Sequence, residues 1–364
     1  MNNKLKIAII GSRGYPFVYS GYETLVKELS ERLIKKGHQV RVYCHKPLFN
    51  NKPRFVNGIE LIYIPSIETK FLSQFVSSFF SFIHVCFSQI DIVFVVNTAN
   101  GPFGLITKIF NKKTVINVDG LEWLRPKWKG FGSLYFKIST RLSVLFFDLI
   151  VTDSYEMQLL YKNKFNIDST NIAYGSTMIK NINDEYINNI DLKKNEYYLI
   201  VGRLIPDNNS LLIIESFLRA KSSKKLVIVG DVPYLDHYSK KVKSVEHKKI
   251  LKLGYVKCQK KLSSLYKNCF CYVHGHEFGG TNPTMINALD FNCNIIALNT
   301  MFNNEMLAEK YALYFEKSHK SIIRTFIKFE KEHDKINLKN IKYKLPNRYK
   351  WEKISKKYLE IFKS

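Results

Sequence analysis

Glycines, histidines and a carboxylate come together in one segment of the second half of the chain, H-G-H-E-F-G-G-T-N-P, from His274 to Pro283. Thr281 and Asn282 are residue types that cap helices, and the proline after them suits a first helical turn. The backbone amides around Gly279 and Gly280 have no side chain in front of them, and a helix N-terminus adds positive potential. Such amides can hold a diphosphate. The segment therefore predicts an anion-binding loop between a strand and a helix.

The two histidines of this segment, His274 and His276, leave three interpretations open. Because they are two residues apart on a strand, they would face the same side, as a pair of metal ligands does. No third ligand stands at a recognisable spacing, so we expect no metal. Hydrogen bonding to a ligand or to the loop, and a structural role inside the protein, are the other two interpretations.

An arginine and a pair of carboxylates follow two other apolar runs. Arg203 stands in V-G-R-L-I-P-D-N-N. Its guanidinium can grip a phosphate through two hydrogen bonds there, or form a salt bridge at the surface. Asp119 and Glu122 follow the run TVINV, where carboxylates can bind a sugar hydroxyl or accept a proton. For Asp119, capping of the loop is the alternative interpretation.

A further glycine-rich loop lies between Gly11 and Glu23. Gly14 and Gly21 allow tight turns close to a ligand, and the helix that follows favours negative charge at its start. The spacing is not G-x-G-x-x-G, and the next strand lacks the acidic residue of a dinucleotide site. This disfavours a nicotinamide or flavin enzyme, and the absence of G-x-x-x-x-G-K-[ST] excludes a P-loop NTPase. A purely structural glycine turn stays open.

Apolar strands alternate with helical segments along the chain, which predicts parallel sheets covered by helices. The alternation stops in an Asn-, Lys- and Asp-rich stretch and then restarts. We therefore predict an α/β fold with two Rossmann-like domains, residues 1–177 and 195–345, joined by a linker over 178–194. A basic amphipathic helix over 346–364 ends the chain. Two such domains leave a cleft, with ligands expected at the carboxyl ends of the strands.

Composition and charge narrow the class of protein. Of 364 residues, 46% are hydrophobic and 24% charged, which is typical of globular proteins. The 56 Lys and Arg residues against 31 Asp and Glu give a net charge of +25, which predicts an anionic partner. The 6 cysteines form no C-x-x-C pair, and the first residues show no signal-peptide pattern. We expect a cytoplasmic protein.

The longest stretch without charge lies between Lys70 and Asp91 and is rich in phenylalanine. Its serines recur every three or four residues, which predicts a helix with a polar stripe beside a wide apolar face. Such a helix can be buried in the protein, dip into a lipid interface or, on length alone, cross a membrane. We take the buried helix as the prediction and leave the other two open.

Four ordered motifs resemble those of the retaining nucleotide-sugar glycosyltransferases of family 4. Within that family they resemble bacterial rhamnosyltransferases that build capsule, O-antigen or cell-wall polysaccharide. The motifs are I-G-S-R-G-Y-P-x-x-Y-S-G-Y-E-T (Ile10 to Thr24), N-V-D-G-L-E-W (Asn117 to Trp123), V-G-R-L-I-P-D-N-N (Val201 to Asn209) and H-G-H-x-x-G-G-T-N-P (His274 to Pro283). The resemblance covers both domains and implies the GT-B architecture of two facing Rossmann-like domains.

The resemblance also implies an activity. A hexose or deoxyhexose, with rhamnose from dTDP-rhamnose as the best match, would pass with retention to a lipid-linked saccharide. A UDP- or GDP-hexose donor is one alternative, and a catalytically weak relic that binds a polyanion is another. No protein nucleophile, cofactor or metal is implied, so catalysis would rest on electrostatics and positioning.

Together with the loops above, the resemblance points to a set of site residues. They are Asp119, Arg203 and Glu277 for catalysis; Gly14, Arg203, His274, Gly279, Gly280, Thr281, Asn282 and Asn287 for the donor; and Tyr19, Gly21 and Glu122 for the acceptor. Asn287 stands where the family carries a Glu that holds the ribose, and an uncharged bond there should be weaker by roughly 1 kcal/mol. We hypothesise that Glu277 compensates. Asn208 and Asn209 occupy the slots where the wider group has a Lys.

Basic residues are concentrated in both halves of the chain. Residues 104–147 carry 8 basic and 2 acidic side chains, and residues 335–364 carry 10 and 2. Such faces can hold a protein on an anionic inner membrane surface, which would suit a lipid-linked acceptor. A solvated lysine-rich surface is the alternative. No nucleic-acid partner is expected, because no helix-turn-helix, RNA-binding sheet motif or zinc finger is visible.

Overall fold

The chain divides into two compact units, Met1–Gly175 with Asn347–Ser364, and Ser176–Pro346. Each unit contains its own largely parallel sheet, which confirms the prediction of an α/β protein with two Rossmann-like domains. The computed structural model describes residues 4–16, 21–69, 72–118, 120–125, 128, 130–183, 185–232 and 235–364.

The first unit follows the predicted alternation closely. Its strands are β1 (Lys6–Ile10), β2 (Gln39–His45), β3 (Phe55–Val56), β4 (Ile59–Ile64), β5 (Ile92–Val96), β6 (Thr114–Val118), β7 (Leu149–Thr152) and β8 (Thr170–Asn171). Its helices are α1 (Gly21–Lys35), α2 (Leu72–Cys86), α3 (Gly104–Ile109), α4 (Phe131–Phe146) and α5 (Tyr155–Phe165). Ser154 caps α5, since its Oγ accepts a hydrogen bond from the Met157 amide at 3.2 Å.

The second unit repeats the pattern. Its strands are β9 (Tyr197–Val201), β10 (Lys225–Val229), β11 (Ile250–Gly254), β12 (Cys271–His274), β13 (Ile295–Leu298) and β14 (Leu313–Phe315). Its helices are α6 (Glu185–Asn188), α7 (Ser210–Ala220), α8 (His237–Ser244), α9 (Gln259–Asn268), α10 (Pro283–Asp290), α11 (Met301–Leu307) and α12 (His319–Asn340). A last helix, α13 (Trp351–Lys363), belongs to the first unit.

Strand order puts a topological switch point in each sheet. The first sheet runs β3-β4-β2-β1-β5-β6-β7-β8, parallel except for the β3–β4 pair, and the second runs β11-β10-β9-β12-β13-β14, parallel throughout. The order reverses between β1 and β5 in the first sheet and between β9 and β12 in the second. Ligands of open α/β sheets bind outside the carboxyl ends of the strands at such points. The loops after these strands are therefore the places to look for a site.

The segment predicted as a linker, 178–194, lies inside the second unit. It contains α6, whose Ile187 is buried, and the Ile179 amide donates a hydrogen bond to Ser263 Oγ at 3.1 Å. The Asn- and Lys-rich composition does not indicate these contacts, because only a few apolar side chains are needed to anchor a short segment.

The C-terminal helix α13 packs on the first unit through its apolar face. Tyr358 is fully buried there, and its ring lies 5.2 Å from that of Phe94 on β5. The Asn117 side chain on β6 donates to the Tyr358 hydroxyl at 3.1 Å. The chain thus returns to its first unit, although the sequence shows only that α13 has one apolar and one basic face.

Helix α2 forms where a helix is predicted, and the side that it buries includes its polar stripe. The buried residues are Ser73, Ser77, Ser78 and Ser81 together with Phe82, Val85 and Cys86, whereas Phe75, Phe79 and Phe80 are exposed. The reason is the close approach of α2 to the segment Thr98–Phe103, which small side chains allow. Among the described helices, none is long and apolar enough to cross a membrane.

Candidate functional site

The candidate site of the second unit lies at its switch point. Strands β9 and β12 are neighbours, with Cys271 beside Tyr198 in register. Their carboxyl ends therefore meet at one edge of the sheet, which brings the loop after β9 next to the loop after β12. The first loop carries Arg203 and the second carries the double glycine, so the sheet joins two motifs that are 70 residues or more apart in the chain.

These loops approach each other so closely that glycine is required. A Cβ on Gly275 would lie 2.4 Å from the Asn208 carbonyl oxygen. At Gly230, the φ angle is +145°, and a Cβ would lie 1.7 Å from the Gly202 carbonyl oxygen. No side chain fits at either place without moving the backbone. The glycines thus fix the distance between the loops.

Asn208 and Asn209 clamp the two loops together. Asn208 Nδ2 donates to the Arg203 carbonyl at 2.7 Å, and its Oδ1 lies 2.6 Å from His276 Nδ1. Asn209 has a left-handed backbone at φ +53°, which Asn tolerates, and its Nδ2 donates to the Gly275 carbonyl at 2.9 Å. The sequence marks these residues only as departures from a family pattern. The structure shows that they position the loop that carries Arg203.

The double-glycine loop ends in the predicted helix start. Asn282 is the N-cap of α10, since its Oδ1 accepts from the Thr284 amide at 3.0 Å, and Pro283 occupies the first turn. Thr281, the other capping candidate, is buried beside it. Among the described residues, no hydrogen bond uses the backbone amides of Gly279 or Gly280. The loop therefore offers amide donors at a helix N-terminus, as the sequence predicts.

Arg203 is half-buried at the carboxyl end of β9. Within the part of the chain that the structure describes, no ion pair or hydrogen bond involves its guanidinium. The surface salt bridge, which was the alternative interpretation, is not formed with any described residue. The planar group remains able to grip an anion through two hydrogen bonds.

His274 is buried at the end of β12. Its Nδ1 lies 3.0 Å from the Tyr272 hydroxyl, while its Nε2 has no hydrogen-bond partner among the described residues. Desolvation by burial lowers the pKa of His274 to about 3, so the ring is neutral at physiological pH. Its ring centroid lies 6.1 Å from that of His276. A search of the described residues finds no group of three or more His, Cys, Asp or Glu side chains that could hold a metal ion.

Burial of neutral His274 predicts a pH dependence of stability. The folded pKa of about 3 lies below the ordinary value of 6.5, so between these values the unfolded chain binds the proton and the folded chain does not. Lowering the pH from 6.5 should cost on the order of 1 kcal/mol of unfolding free energy per pH unit. Urea denaturation at several pH values should show that the unfolding free energy of His274→Gln falls less steeply with decreasing pH than that of the wild type. Equal slopes for variant and wild type would contradict this origin.

Glu277 is held by contacts that the sequence does not reveal. Its carboxylate pairs with Lys317 at 2.6 Å, and its amide donates to the Asp207 carbonyl at 3.0 Å. Asn303 Nδ2 donates to the His276 carbonyl at 3.1 Å and so braces the same loop. Lys317 and Asn303 carry no motif signal, because they reach the loop from distant parts of the chain.

Asn287 lies one helical turn further into α10. It is 6% exposed, and its Oδ1 accepts a hydrogen bond from the Thr177 amide at 3.4 Å. The structure thus places Asn287 beside the start of the second unit, and the oxygen of its side-chain amide already has a hydrogen-bond partner.

Of the predicted residues of the first unit, Gly14, Gly21 and Glu122 lie within the described part of the chain. Gly14, with φ at +125°, packs so tightly that a Cβ would lie 2.8 Å from Cys44 Sγ. Gly21 begins α1. Tyr19 and Asp119 lie outside the described residues. The Arg13 amide donates to the buried Glu23 carboxylate at 3.1 Å, which ties the glycine loop to the helix after it.

Glu122 serves the structure of its own loop. Its Oε1 lies 2.7 Å from Arg125 Nε, and its Oε2 accepts from Trp128 Nε1 at 2.9 Å. The side chain is 9% exposed. Both carboxylate oxygens therefore have partners inside the protein, which the sequence position beside Asp119 does not disclose.

Comparison with solved structures decides the fold. Sucrose-phosphate synthase from Thermosynechococcus elongatus matches with a TM-score of 0.82 at 13% sequence identity, over 99% of this chain and 98% of that chain. HepE from Anabaena, in complex with UDP and glucose, matches with a TM-score of 0.76 at 13% identity, over 99% and 100%. This is the GT-B fold. At such identities the likeness concerns the fold alone.

Each half of the GT-B chain also matches a family model. Residues 183–347 match Glycosyl transferases group 1, and residues 4–177 match Domain of unknown function (DUF1972). Arg203, the double glycine and the asparagine clamp all lie within the first of these matches. The loops at the second switch point thus lie within the part of the chain that is similar to Glycosyl transferases group 1.

One curated relative of this GT-B protein comes from Campylobacter jejuni. It is N-acetylgalactosamine-N,N'-diacetylbacillosaminyl-diphospho-undecaprenol 4-alpha-N-acetylgalactosaminyltransferase, and it is 28% identical over 213 residues. The match spans 57% of this chain and 57% of the relative. The similarity therefore covers little more than half the length of either protein.

Proposed function

We propose that the protein is a glycosyltransferase that binds a nucleotide sugar in its second unit and transfers the sugar to a lipid-linked saccharide. The observation that carries the proposal is that two loops follow neighbouring strands at one switch point: one carries Arg203, whose guanidinium has no partner among the described residues, and the other carries the amides of Gly279 and Gly280. Cationic and N–H donors at a helix N-terminus are what a diphosphate requires. The group 1 match over these residues supports the same conclusion.

The proposed chemistry is electrostatic. The acceptor hydroxyl attacks the anomeric carbon on the same face from which the diphosphate departs, the bond from that carbon to the diphosphate oxygen breaks, and the hydroxyl proton leaves to the departing diphosphate. Negative charge grows on the diphosphate as the bond breaks, so Arg203, the loop amides and the dipole of α10 stabilise the transition state more than the ground state. This scheme retains the configuration of the sugar and uses no resident metal or cofactor.

For the donor we propose dTDP-rhamnose, on the strength of the four motifs. HepE is solved with UDP and glucose, and the Campylobacter relative is named as an N-acetylgalactosaminyltransferase, which support a UDP-sugar as the alternative. The diphospho-undecaprenol in that name supports a lipid-linked acceptor. A weak polyanion-binding relic is the second alternative, and the net charge of +25 is its support.

Two donor contacts follow from this proposal and can be tested together. Glu277→Ala and Asn287→Ala should each weaken binding of the nucleotide diphosphate about five- to tenfold, the loss of roughly one hydrogen bond. Isothermal titration measures this, with Glu215→Ala as the control because that carboxylate lies on α7 and is half exposed. Wild-type affinity in both variants would remove both residues from the donor site.

A donor panel tests the function itself. The protein is incubated with labelled dTDP-rhamnose, UDP-hexoses and GDP-hexoses and with an undecaprenyl-diphosphate-linked saccharide, and the label in the lipid phase is counted. Transfer from one donor is the expected result. If no label moves, and oligonucleotides raise the melting temperature at low salt where nucleoside diphosphates do not, the relic is the better explanation.

A further inference from the structure

Two helices of the first unit turn their small polar residues inward and their large apolar residues outward. On α4, Phe131, Ile138 and Leu145 recur every seven residues on one face and are 91%, 47% and 59% exposed. The opposite face of α4 is buried and carries Ser139, Thr140 and Ser143 together with Phe136. Helix α2 likewise buries four serines and exposes three phenylalanines, although Phe82 and Val85 near its end are buried. This is the opposite of the usual pattern of a helix on a water-soluble domain.

The reversal has a steric cause in the segment Thr98–Phe103. A Cβ on Gly101 would lie 1.9 Å from the Ser139 carbonyl oxygen, so α4 touches this segment backbone to backbone. Ser139 Oγ donates to the Thr98 carbonyl, and Ser78 Oγ on α2 donates to Asn100 Oδ1 at 2.5 Å. Only small side chains fit at these backbone contacts. Many large side chains of both helices are therefore left on the outside, although Phe82 of α2 and Phe136 of α4 are buried.

Helix α3 packs against both α2 and α4 and extends the exposed apolar area. Its Ile109 is 68% exposed, and the ring of Phe110 lies 5.3 Å from that of Phe87, just beyond α2. We call the outer faces of α2, α3 and α4 the three-helix surface. Contiguous exposed apolar patches of this kind mark places where another phase or partner is bound.

The charge on these helices has one sign. None of the three contains an Asp or a Glu, whereas Lys108, Lys137 and Arg141 are exposed on them. Asp148, which follows α4, is engaged in hydrogen bonds to the amide and hydroxyl of Thr114. Exposed apolar side chains beside cations, without anions, complement a surface of anionic headgroups over acyl chains.

We infer that the three-helix surface docks on an anionic lipid bilayer, with its apolar side chains at the boundary of headgroups and acyl chains. The helices would lie on the membrane and would not cross it. This inference stands on contacts within the first unit alone, so it survives or fails independently of the donor site. It also accounts for the exposed apolar side chains of these helices, which a fully hydrated surface does not.

Vesicle flotation with the full chain tests the inference without any sugar nucleotide. The wild type should float with vesicles of phosphatidylcholine and phosphatidylglycerol and bind pure phosphatidylcholine at least about tenfold more weakly. The triple variant Phe79→Ser, Ile138→Ser, Leu145→Ser should lose at least about tenfold in binding to the anionic vesicles. The double variant Lys137→Gln, Arg141→Gln should bind anionic vesicles about tenfold more weakly than the wild type and should bind neutral vesicles equally well.

Matched variants protect the test against misfolding. Ile327→Ser, Leu338→Ser and Ile341→Ser change three exposed apolar residues of the second unit and should float like the wild type. Brominated lipids should quench the fluorescence of the tryptophan introduced by Phe131→Trp, whereas they should not quench that of the tryptophan introduced by Ile341→Trp. Wild-type flotation by the triple variant would overturn the inference. The inference is also overturned if the wild type does not float. If, in addition, the same substitutions convert a dimer into a monomer, this surface binds a second copy of the chain.

Discussion

Replacing Arg203 by Ala is expected to lower sugar transfer about 100- to 1000-fold, the range found when one preorganised donor to a developing anion is removed. The guanidinium is half-buried, and no described residue pairs with it, so its removal leaves the contacts of the second unit in place. Its loss should therefore act on the leaving diphosphate and hardly on the fold. Initial rates with a labelled donor measure the effect.

Two companions of this variant sharpen the result. Arg203→Lys keeps the charge but loses the two-pronged grip, so it should recover only part of the rate. Arg219→Ala removes an exposed arginine on α7 of the same unit and should leave the rate unchanged. If Arg203→Ala and Arg219→Ala transfer sugar equally well, the diphosphate does not bind at this switch point.

Gly230→Ala is expected to destabilise the second unit by about 3 to 5 kcal/mol, among the largest effects a single substitution produces. The methyl group would lie 1.7 Å from the Gly202 carbonyl oxygen, on a residue whose φ of +145° already strains any L side chain. The backbone of the loop before Arg203 must then move. Urea denaturation gives the unfolding free energy, and donor binding should weaken in parallel.

Gly254→Ala is the matched control for that clash. Gly254 also has a positive φ, +63°, but nothing lies within 4 Å of its added Cβ. It should therefore cost only about 1 kcal/mol, the price of a left-handed backbone for alanine. Equal losses for the two substitutions would show that backbone conformation, and not the close approach of Gly202, makes glycine necessary at 230.

The regular elements could be predicted from the sequence because each depends on a local pattern. The alternation of apolar strands with helices and the helix that starts at Pro283 appear as predicted. The long helix α12, residues His319–Asn340, was not predicted. Its many charged residues obscure the apolar stripe through Ile322, Phe326 and Phe329, which packs on the core of the second unit.

The candidate site was predictable as far as its motifs and no further. The sequence predicts an anion site because glycine, capping residues and guanidinium have distinct roles at strand ends. The residues concerned are Gly279, Gly280, Asn282 and Arg203. The clamp by Asn208 and the ion pair between Glu277 and Lys317 could not be foreseen. Such contacts join residues that are far apart in the chain, and nothing in their local sequence records the partner.

The sequence by itself determined the order of strands and helices and the chemistry available at their ends, since hydrophobic period, turn residues and caps act over a few neighbouring residues. Only the tertiary structure decided which side of α2 and α4 is buried. Periodicity shows that a helix has two faces, but the backbone contact between Gly101 and Ser139 selects the small face of α4 for the inside, and the hydrogen bond from Ser78 to Asn100 holds the serine face of α2 there. The same holds for Glu122, whose carboxylate Arg125 and Trp128 hold within the protein.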